Sequence, residues 1–564
     1  MSEYWDETVD FLAVGSGAAG MTGAIVAHDR GARVLVIEKS ELYGGNTALS
    51  GGALWVPDNH LMFEHGIEDS SEEGLSYLET VTDGSSSPEK LSRYISAAPE
   101  MVRYLQDNSQ VCFEIVPLYP DYYPEEVGGK SGGRSIEPTE IDALRLGNVF
   151  EQQRTLKYRS RLMAFLSIKI NEAPLLMGGG RAMLGLMSRL LFGYLTNWRA
   201  RLRGLKNTRL TLGKALAARL RLSLLDRDVP LWLNAPLREL IVEDGRVVGA
   251  LVEREGRCLR VRAMRGVLLA AGGFEHNAAL RRQHQQLPIG NTWTVGSESN
   301  VGDTISIGEK VGASLGLMDE AWWTPVFLPP TFDRALPMIV EKGLPGSLMV
   351  NKSGERFMNE ASPYNDVVKR MYAANARVPS IPAFFVFDAN YRRQYACGPV
   401  RPGFSQPDWS LSRLLRESFL TKASSLAGLA GKLGVDAEQL GATVTRFNQF
   451  ARKGVDEDFG RGESSNDRYY GDPAVSPNPC LAPLETPPFY AVEVYPGDLG
   501  TKGGLRTDTE GRVLTASDEP IPGLYAAGNC SASAMGRTYP GAGGTIGPAM
   551  TFGYLAARHA TESG

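Results

Sequence analysis

Residues 9–38 constrain this chain more than any other stretch. Val9-Asp10-Phe11-Leu12-Ala13-Val14 reads as a buried strand, apolar apart from Asp10. Gly15-Ser16-Gly17-Ala18-Ala19-Gly20 follows at once, and a helical stretch runs on to about Asp29. Arg33-Val34-Leu35-Val36-Ile37 then forms a second strand ending at Glu38. Strand, GxGxxG, helix, strand and acid in this order describe a dinucleotide-binding unit. Gly15 permits the tight turn, Gly17 lets backbone reach a pyrophosphate, Gly20 packs helix on strand, and Glu38 can accept both ribose hydroxyls.

The residues beyond Glu38 decide which dinucleotide. Lys39 and Ser40 lead into Gly44-Gly45-Asn46-Thr47-Ala48-Leu49-Ser50-Gly51-Gly52. A long glycine and hydroxyl loop here suits a flavin lying across the sheet end, whereas a nicotinamide domain would continue with another strand and helix. Two later segments repeat the theme: Gly266-Val267-Leu268-Leu269-Ala270-Ala271-Gly272-Gly273 and Gly523-Leu524-Tyr525-Ala526-Ala527-Gly528-Asn529. Together these segments resemble the glutathione-reductase-type FAD fold, in particular the fumarate reductase flavoprotein superfamily. The resemblance implies an FAD domain built from both chain ends, with a second domain inserted. It also implies cofactor contacts at Gly15 to Gly20, Glu38, Lys39, Ser40, Gly45, Asn46, Thr47, Ser50, Gly51, Gly52, Ala271, Gly272, Gly528 and Asn529. Asn529 stands where many members carry an acid. The loop at 46–50 holds no histidine for covalent attachment, so the FAD is expected to be noncovalent. Thr501-Lys502-Gly503-Gly504-Leu505 lacks the histidine of a dicarboxylate site, and Gly503 is a further cofactor candidate.

Composition adds limits. With 564 residues the chain exceeds one compact core, and two domains are expected. The net charge of −5 gives no sign of nucleic-acid binding. Cys112, Cys258, Cys397, Cys480 and Cys530 show no paired spacing, and the six histidines form no metal-ligand pattern. No metal is expected. Neither a secretory leader nor about 18 uninterrupted apolar residues is present, so a cytoplasmic location is the default expectation.

Three loops place a tyrosine beside proline or glycine: Tyr119-Pro120-Asp121-Tyr122-Tyr123-Pro124, the segment Gly354-Glu355-Arg356-Phe357-Met358-Asn359-Glu360-Ala361-Ser362-Pro363-Tyr364, and Thr538-Tyr539-Pro540-Gly541-Ala542-Gly543-Gly544-Thr545-Ile546-Gly547-Pro548. A site lined this way suits an uncharged, apolar substrate with one or two polar handles. These loops resemble the PDY, GxRFxNExxPY and YPGxG…TxGP elements of the 3-ketosteroid Δ1-dehydrogenases, in the same order along essentially the whole chain. The resemblance implies that the Tyr539 hydroxyl and the Gly543 N–H hold the C3 carbonyl. It further implies that Tyr364 takes the C2 proton with help from Tyr122, and that flavin N5 accepts the C1 hydride. Tyr119 and Tyr123 are alternatives for the helper's place.

The chemistry is coherent in itself. Two donors on a ketone oxygen stabilise the enolate, by about 2.7–4 kcal/mol for one such donor. A permanent carboxylate would be costly beside an apolar substrate. A free tyrosine, with pKa near 10, is ionised to only about one part in a thousand at neutral pH. A second hydroxyl can stabilise its phenolate. Gly543, Gly544, Thr545 and Ile546 open a last helix to about Ala560, whose N-terminal amides favour negative charge on a flavin's N1/C2=O edge.

Between Glu172 and Asp226 no acid occurs, while ten basic residues do: Arg181, Arg189, Arg199, Arg201, Arg203, Lys206, Arg209, Lys214, Arg219 and Arg221. Met183, Leu184, Leu191, Phe192, Leu195 and Trp198 interleave with them. A basic, apolar, helix-compatible stretch reads either as an interfacial membrane anchor at about 181–210 or as a helix packed on the body.

The expected fold class is α/β. An FAD-binding Rossmann domain spans 1–285 and 488–564, with a meander around Leu231–Leu259 and a helical excursion at about 173–225. An inserted α+β substrate domain spans 286–487. The expected activity is 1,2-dehydrogenation of 3-ketosteroids in steroid catabolism, with a quinone-class electron acceptor. Alternatives are a 3-ketosteroid Δ4-(5α)-dehydrogenase, a fumarate-reductase-like flavoenzyme and a non-catalytic flavin-binding protein.

Overall fold

The computed structural model describes residues 4–155, 167–173, 180–198, 202 and 208–562. Strand β1 (Glu7–Val14), helix α1 (Ala18–Asp29) and strand β2 (Val34–Ile37) form the expected opening unit. Helix α1 is apolar on every side because it is covered on every side. Its small residues permit this: a methyl on Gly23 would come within 2.6 Å of the Leu268 side chain.

The central sheet has eight strands. Its members are β1, β2, β3 (Leu231–Trp232), β4 (Leu237–Glu243), β5 (Arg246–Arg254) and β6 (Arg257–Leu269), joined by two strands of the C-terminal segment. β1 runs parallel to both β2 and β6, and β4, β5 and the first part of β6 form an antiparallel meander. The meander begins at Leu237, not at Leu231, because Leu231 and Trp232 pair parallel with Val36 and Ile37. β6 is long enough to serve twice: its first half closes the meander, and its second half enters the parallel layer.

The second sheet has six strands: β7 (Ala321–Phe327), β8 (Leu336–Pro337), β9 (Ser347–Val350), β10 (Ala383–Phe387), β11 (Thr421–Ala423) and β12 (Phe489–Thr501). β12 pairs with β7, β10 and β11. A boundary at 487/488 assigns this strand to the nucleotide end, but its hydrogen bonds place it in the second sheet. Strands β13 (Arg512–Leu514) and β14 (Pro520–Ala526) return to the first sheet, where β14 lies parallel to β6. Helix α5 (Ile546–Glu562) packs on α1 so closely that a methyl on Gly553 would meet the Ala19 carbonyl at 2.5 Å.

The basic middle divides into two. Helix α2 (Gly180–Thr196) exposes Leu184, Leu191, Phe192 and Leu195. Helix α3 (Leu212–Leu225) is instead part of the body: Leu216, Leu220 and Leu224 join the core with Phe11 and Ala24. Arg219 and Arg221 are buried in it, and Arg219 donates to the carbonyls of Thr139 and Gln110 at 3.0 and 2.7 Å. Thus 212–225 is no solvated excursion. Arg199, Arg201, Arg203 and Lys206 lie outside the described residues, as do the side chains of Arg181 and Met183. No described helix is long and apolar enough to cross a membrane.

Candidate active site

The parallel register brings three turns together beyond the carboxyl ends of β1, β6 and β14. Val14 is level with Leu269, and Leu269 with Ala526. Gly15, Ala270–Gly272 and Ala527–Asn529 therefore lie side by side where open α/β sheets bind nucleotides. Gly15 adopts φ +110°, and a methyl there would sit 2.3 Å from the Ala270 carbonyl oxygen. Only glycine fits. Gly20 meets the Gly15 carbonyl just as closely, at 2.0 Å for an added methyl.

Gly17 caps α1 without a side-chain bond, and the first turn carries no acid. Its amides are a ready anion site. The second strand's acid organises the entrance: Glu38 accepts from the Ser16 N–H and hydroxyl at 3.1 and 2.7 Å, and from the Ser40 N–H at 3.0 Å. Thr47 accepts from the Ala18 N–H at 3.0 Å, and Ser50 donates to the Thr47 carbonyl at 2.7 Å. An added methyl at Gly45 or Gly51 would meet nothing within 4 Å, so that rim is open. A cradle of backbone donors, with space that a Cβ would occupy, fits an FAD.

Several cofactor candidates are spent on the protein itself. Asn46 donates to Glu275 at 2.8 Å and accepts from the Ser297 N–H at 2.6 Å. The Lys39 ammonium pairs with Asp303. Gly52 packs on Leu212 and Gly213, and Gly272 on the Asn300 side chain. Gly503 is pressed against the Leu317 backbone, where an added methyl would come within 2.3 Å. No side chain fits there. Gly528 and Asn529 are not used up in this way: an added methyl at Gly528 would make only ordinary contact with Ala19 and Ala549, at 3.5 and 3.7 Å, and Asn529 spends its side-chain oxygen on the Trp322 indole N–H at 3.1 Å.

Beside the cradle the three tyrosine loops converge. The rings of Tyr122, Tyr364 and Tyr539 form a triangle with centroid separations of 5.2, 5.2 and 5.3 Å. All three are buried. The Tyr122 hydroxyl donates to the Tyr364 hydroxyl at 2.7 Å. Thr545 donates to the Tyr539 hydroxyl at 3.0 Å. Tyr119 turns to bond the Tyr470 hydroxyl and packs on Tyr469, while Tyr123 donates to Asp366 at 3.0 Å. Of the three tyrosines in the first loop, only Tyr122 therefore hydrogen-bonds Tyr364 directly.

Buried polar groups hold the loops. Asp121 accepts from Trp55 at 2.7 Å and from Arg134 at 2.8 Å, fixing the turn that carries Tyr122. The Tyr122 N–H and the Tyr77 hydroxyl both donate to the Pro540 carbonyl, at 2.9 and 2.6 Å, tying the first loop to the third. Gly543 has φ +100° and lies against Leu54, leaving 2.4 Å for a methyl. Its N–H finds no acceptor among the described residues. Tyr364 is the first residue of helix α4 (Tyr364–Asn375), where the helix dipole favours a phenolate. Burial acts the other way, raising Tyr364, Tyr122 and Tyr539 above the usual phenol range; the bond from Tyr122 lowers Tyr364 in part. Trp55, Trp322, Tyr470 and the Lys502 side chain are the site's unforeseen residues. Only the paired aromatics Trp322-Trp323 and Tyr469-Tyr470 gave any sequence signal.

The chain is similar to known proteins along nearly its whole length. A family described as "FAD binding domain" matches residues 10–546. A 3-oxosteroid 1-dehydrogenase of Mycobacterium tuberculosis is 44% identical over 98% of each chain. A crystal structure of the 3-ketosteroid Δ1-dehydrogenase from Sterolibacterium denitrificans, in complex with 1,4-androstadiene-3,17-dione, is 44% identical. It superposes with a TM-score of 0.94, covering 99% of this chain and 100% of the other. The 3-ketosteroid Δ4-(5α)-dehydrogenase of Rhodococcus jostii, at 22% identity and TM-score 0.68 over 100% of this chain and 98% of its own, shares the fold alone.

Proposed function

This chain belongs to the FAD-dependent 3-oxosteroid 1-dehydrogenases, and from that premise we propose how its tyrosines carry out the 1,2-dehydrogenation of a 3-ketosteroid. FAD, when bound, supplies the two-electron acceptor that takes the hydride from C1. The residues that would hold it are the backbone of Gly15 to Gly20, Glu38, the rim at Gly45 and Gly51, Gly528, Asn529 and the start of α5.

Tyr539 and the Gly543 N–H hold the C3 carbonyl oxygen. The N–H of Gly543, half-buried and without an acceptor among the described residues, supports this assignment, because it is available to a ligand's oxygen. With the carbonyl so held, the C2 proton becomes acidic enough for a phenolate to remove. Tyr364 removes it. The Tyr122 hydroxyl donates to the Tyr364 phenolate oxygen before transfer, and that bond weakens as Tyr364 takes the C2 proton and becomes a neutral phenol. The observation that carries the reading is the 2.7 Å bond from Tyr122 to Tyr364 inside a closed triangle of phenols. The buried aromatic rings of Tyr122, Tyr364, Tyr539 and Trp322 would shield the enolate from solvent.

The experiment is anaerobic mixing of the yellow holoprotein with androst-4-ene-3,17-dione. Bleaching of the flavin band, with formation of the 1,4-diene-3-one, is expected. No bleaching with that steroid, but bleaching with a 5α-saturated one, would replace this reading by the Δ4 reaction.

Helix α2 supports association with a lipid surface. Leu191, Phe192, Leu195 and Trp198 are each more than half exposed, as are Leu184 and Leu202. Apolar substrate and quinone-class acceptor would both reach the enzyme from that phase. Replacing Phe192 and Leu195 together by Asp should move the protein from anionic vesicles to the supernatant in co-sedimentation, with FAD retained. Unchanged partitioning would end this part of the reading.

A further inference from the structure

Lys502 is a buried charge that the proton-removing residues do not use. It immediately follows β12 and is 1% exposed. Its ammonium donates to the Thr538 carbonyl at 2.7 Å and lies 4.3 Å from the centre of the Trp322 ring. Among the described residues it forms no ion pair with a carboxylate. An ammonium carries three donors, so one carbonyl leaves donors unspent. Burial pulls its pKa down to about 7, and the carboxylates of Glu320 and Asp366 oppose that shift only in part.

The position of this charge is informative. Lys502 lines a cavity together with Trp322, Gly528, Asn529, Thr545 and Pro548. Gly528 and Asn529 form the turn after β14, and Thr545 and Pro548 belong to the N-terminal end of α5. The first turn of α5 carries no acid to offset its dipole. A buried ammonium and the start of a seventeen-residue helix thus bound one cavity, whose lining also includes Lys90, with its ammonium bonded to Thr507. Such a cavity suits an acceptor-rich group that becomes anionic. A flavin that has taken up a hydride carries its negative charge over the pyrimidine ring, along N1 and C2=O.

We propose that Lys502 contacts the flavin's pyrimidine edge and, with the start of α5, stabilises the negative charge that reduction places there. The proposal rests on the chain's being an FAD enzyme and not on the roles of the tyrosines. Lys502 sets how readily the flavin accepts electrons, while Tyr364 sets how readily the substrate gives up its proton.

The test uses substrate-free holoenzyme carrying Lys502→Met, Lys502→Gln or Lys502→Arg. Sulfite is the probe: its lone pair forms a bond to flavin N5, an electron pair moves into the ring as N1/C2=O charge, and nothing leaves. With Met or Gln the sulfite Kd should rise at least tenfold. The flavin midpoint potential should fall by about 30 mV, the two-electron equivalent of tenfold. Arg should keep both within about threefold in Kd. Either neutral variant with FAD bound, and with wild-type sulfite affinity and potential, would overturn the proposal and leave Lys502 only its bond to Thr538. If Met loses the flavin, Gln is read in its place; if both lose it, an Arg variant that binds FAD but has lost sulfite affinity overturns it and one that keeps it upholds it. Sulfite and potential involve no steroid, so failure of the wild type to oxidise a ketosteroid would be a separate result.

Discussion

The nucleotide cradle and the tyrosine corner meet in one site but are built by opposite means. The cradle is backbone: Gly15 and Gly20 approach other main chain so closely that no side chain fits, and the contacts lie within one short stretch and two returning turns. The corner is side chain, with Tyr122 and Tyr364 separated by 242 residues and joined by a single hydroxyl bond. The difference concerns what each region tolerates. A phenylalanine replaces a tyrosine with nearly the same volume, so chemistry can be removed from the corner while its packing stands. An alanine at Gly15 cannot be accommodated without moving the sheet, so the cradle should fail as structure first.

The largest effect should therefore come from Tyr364→Phe. Loss of the base is expected to lower the rate of anaerobic flavin reduction by about 10²–10⁴-fold, the usual worth of a positioned general base, with FAD content unchanged. Tyr539→Phe should follow at about 10²–10³-fold, the cost of one donor to a developing oxyanion. Stopped-flow reduction with saturating steroid checks both, and a near-native rate in either would remove that residue from the proposed mechanism. Gly15→Ala reverses the pattern. The strained backbone and the 2.3 Å clash with Ala270 should weaken FAD retention by about tenfold to a hundredfold, using about 1–3 kcal/mol for a residue forced into such a conformation. Flavin released per protein on dilution measures this, and full retention would mean the turn can relax.

The same contrast explains what the sequence disclosed. Glycine motifs are legible because their constraint is local and steric: residues 9–38 dictated strand, turn, helix and acid, and the structure follows them within a residue or two. Locality also sets the limit. A glycine pressed on protein reads like one facing a ligand, and the close approach of Gly503 to Leu317 accounts for its glycine whether or not a cofactor lies beside it. Asn46 likewise gives its amide to Glu275 and Ser297. In the loop 119–124 the orientation of the three tyrosines depends on partners far along the chain, Pro540 for the Tyr122 backbone, Tyr470 for Tyr119 and Asp366 for Tyr123, and no local pattern carries them. β12 joins the second sheet through partners at 321–327, 383–387 and 421–423, which its own residues do not announce. The sequence left open whether the basic stretch packs on the body, because burial of Arg219 depends on the distant carbonyls of Thr139 and Gln110.

The finest distinction lies within the corner, between Tyr364 and its helper. Only the phenolate can accept the C2 proton, and burial holds Tyr364 above the ordinary phenol range. Below that raised pKa the phenolate fraction grows about tenfold for each pH unit, so the rate of flavin reduction should climb with that slope through the neutral and alkaline range. It should flatten only above the pKa. Tyr122→Phe removes the one bond that lowers Tyr364, shifting the plateau to higher pH. At a fixed pH near 8 the rate should then fall by about tenfold, the lower end of what a hydrogen bond to a charged group contributes, while the slope stays the same. Tyr119→Phe, one hydroxyl further out and bonded to Tyr470, should shift the profile less. If Tyr122→Phe leaves the pH profile in place, the 2.7 Å bond is packing, and the phenolate is stabilised chiefly by the start of α4.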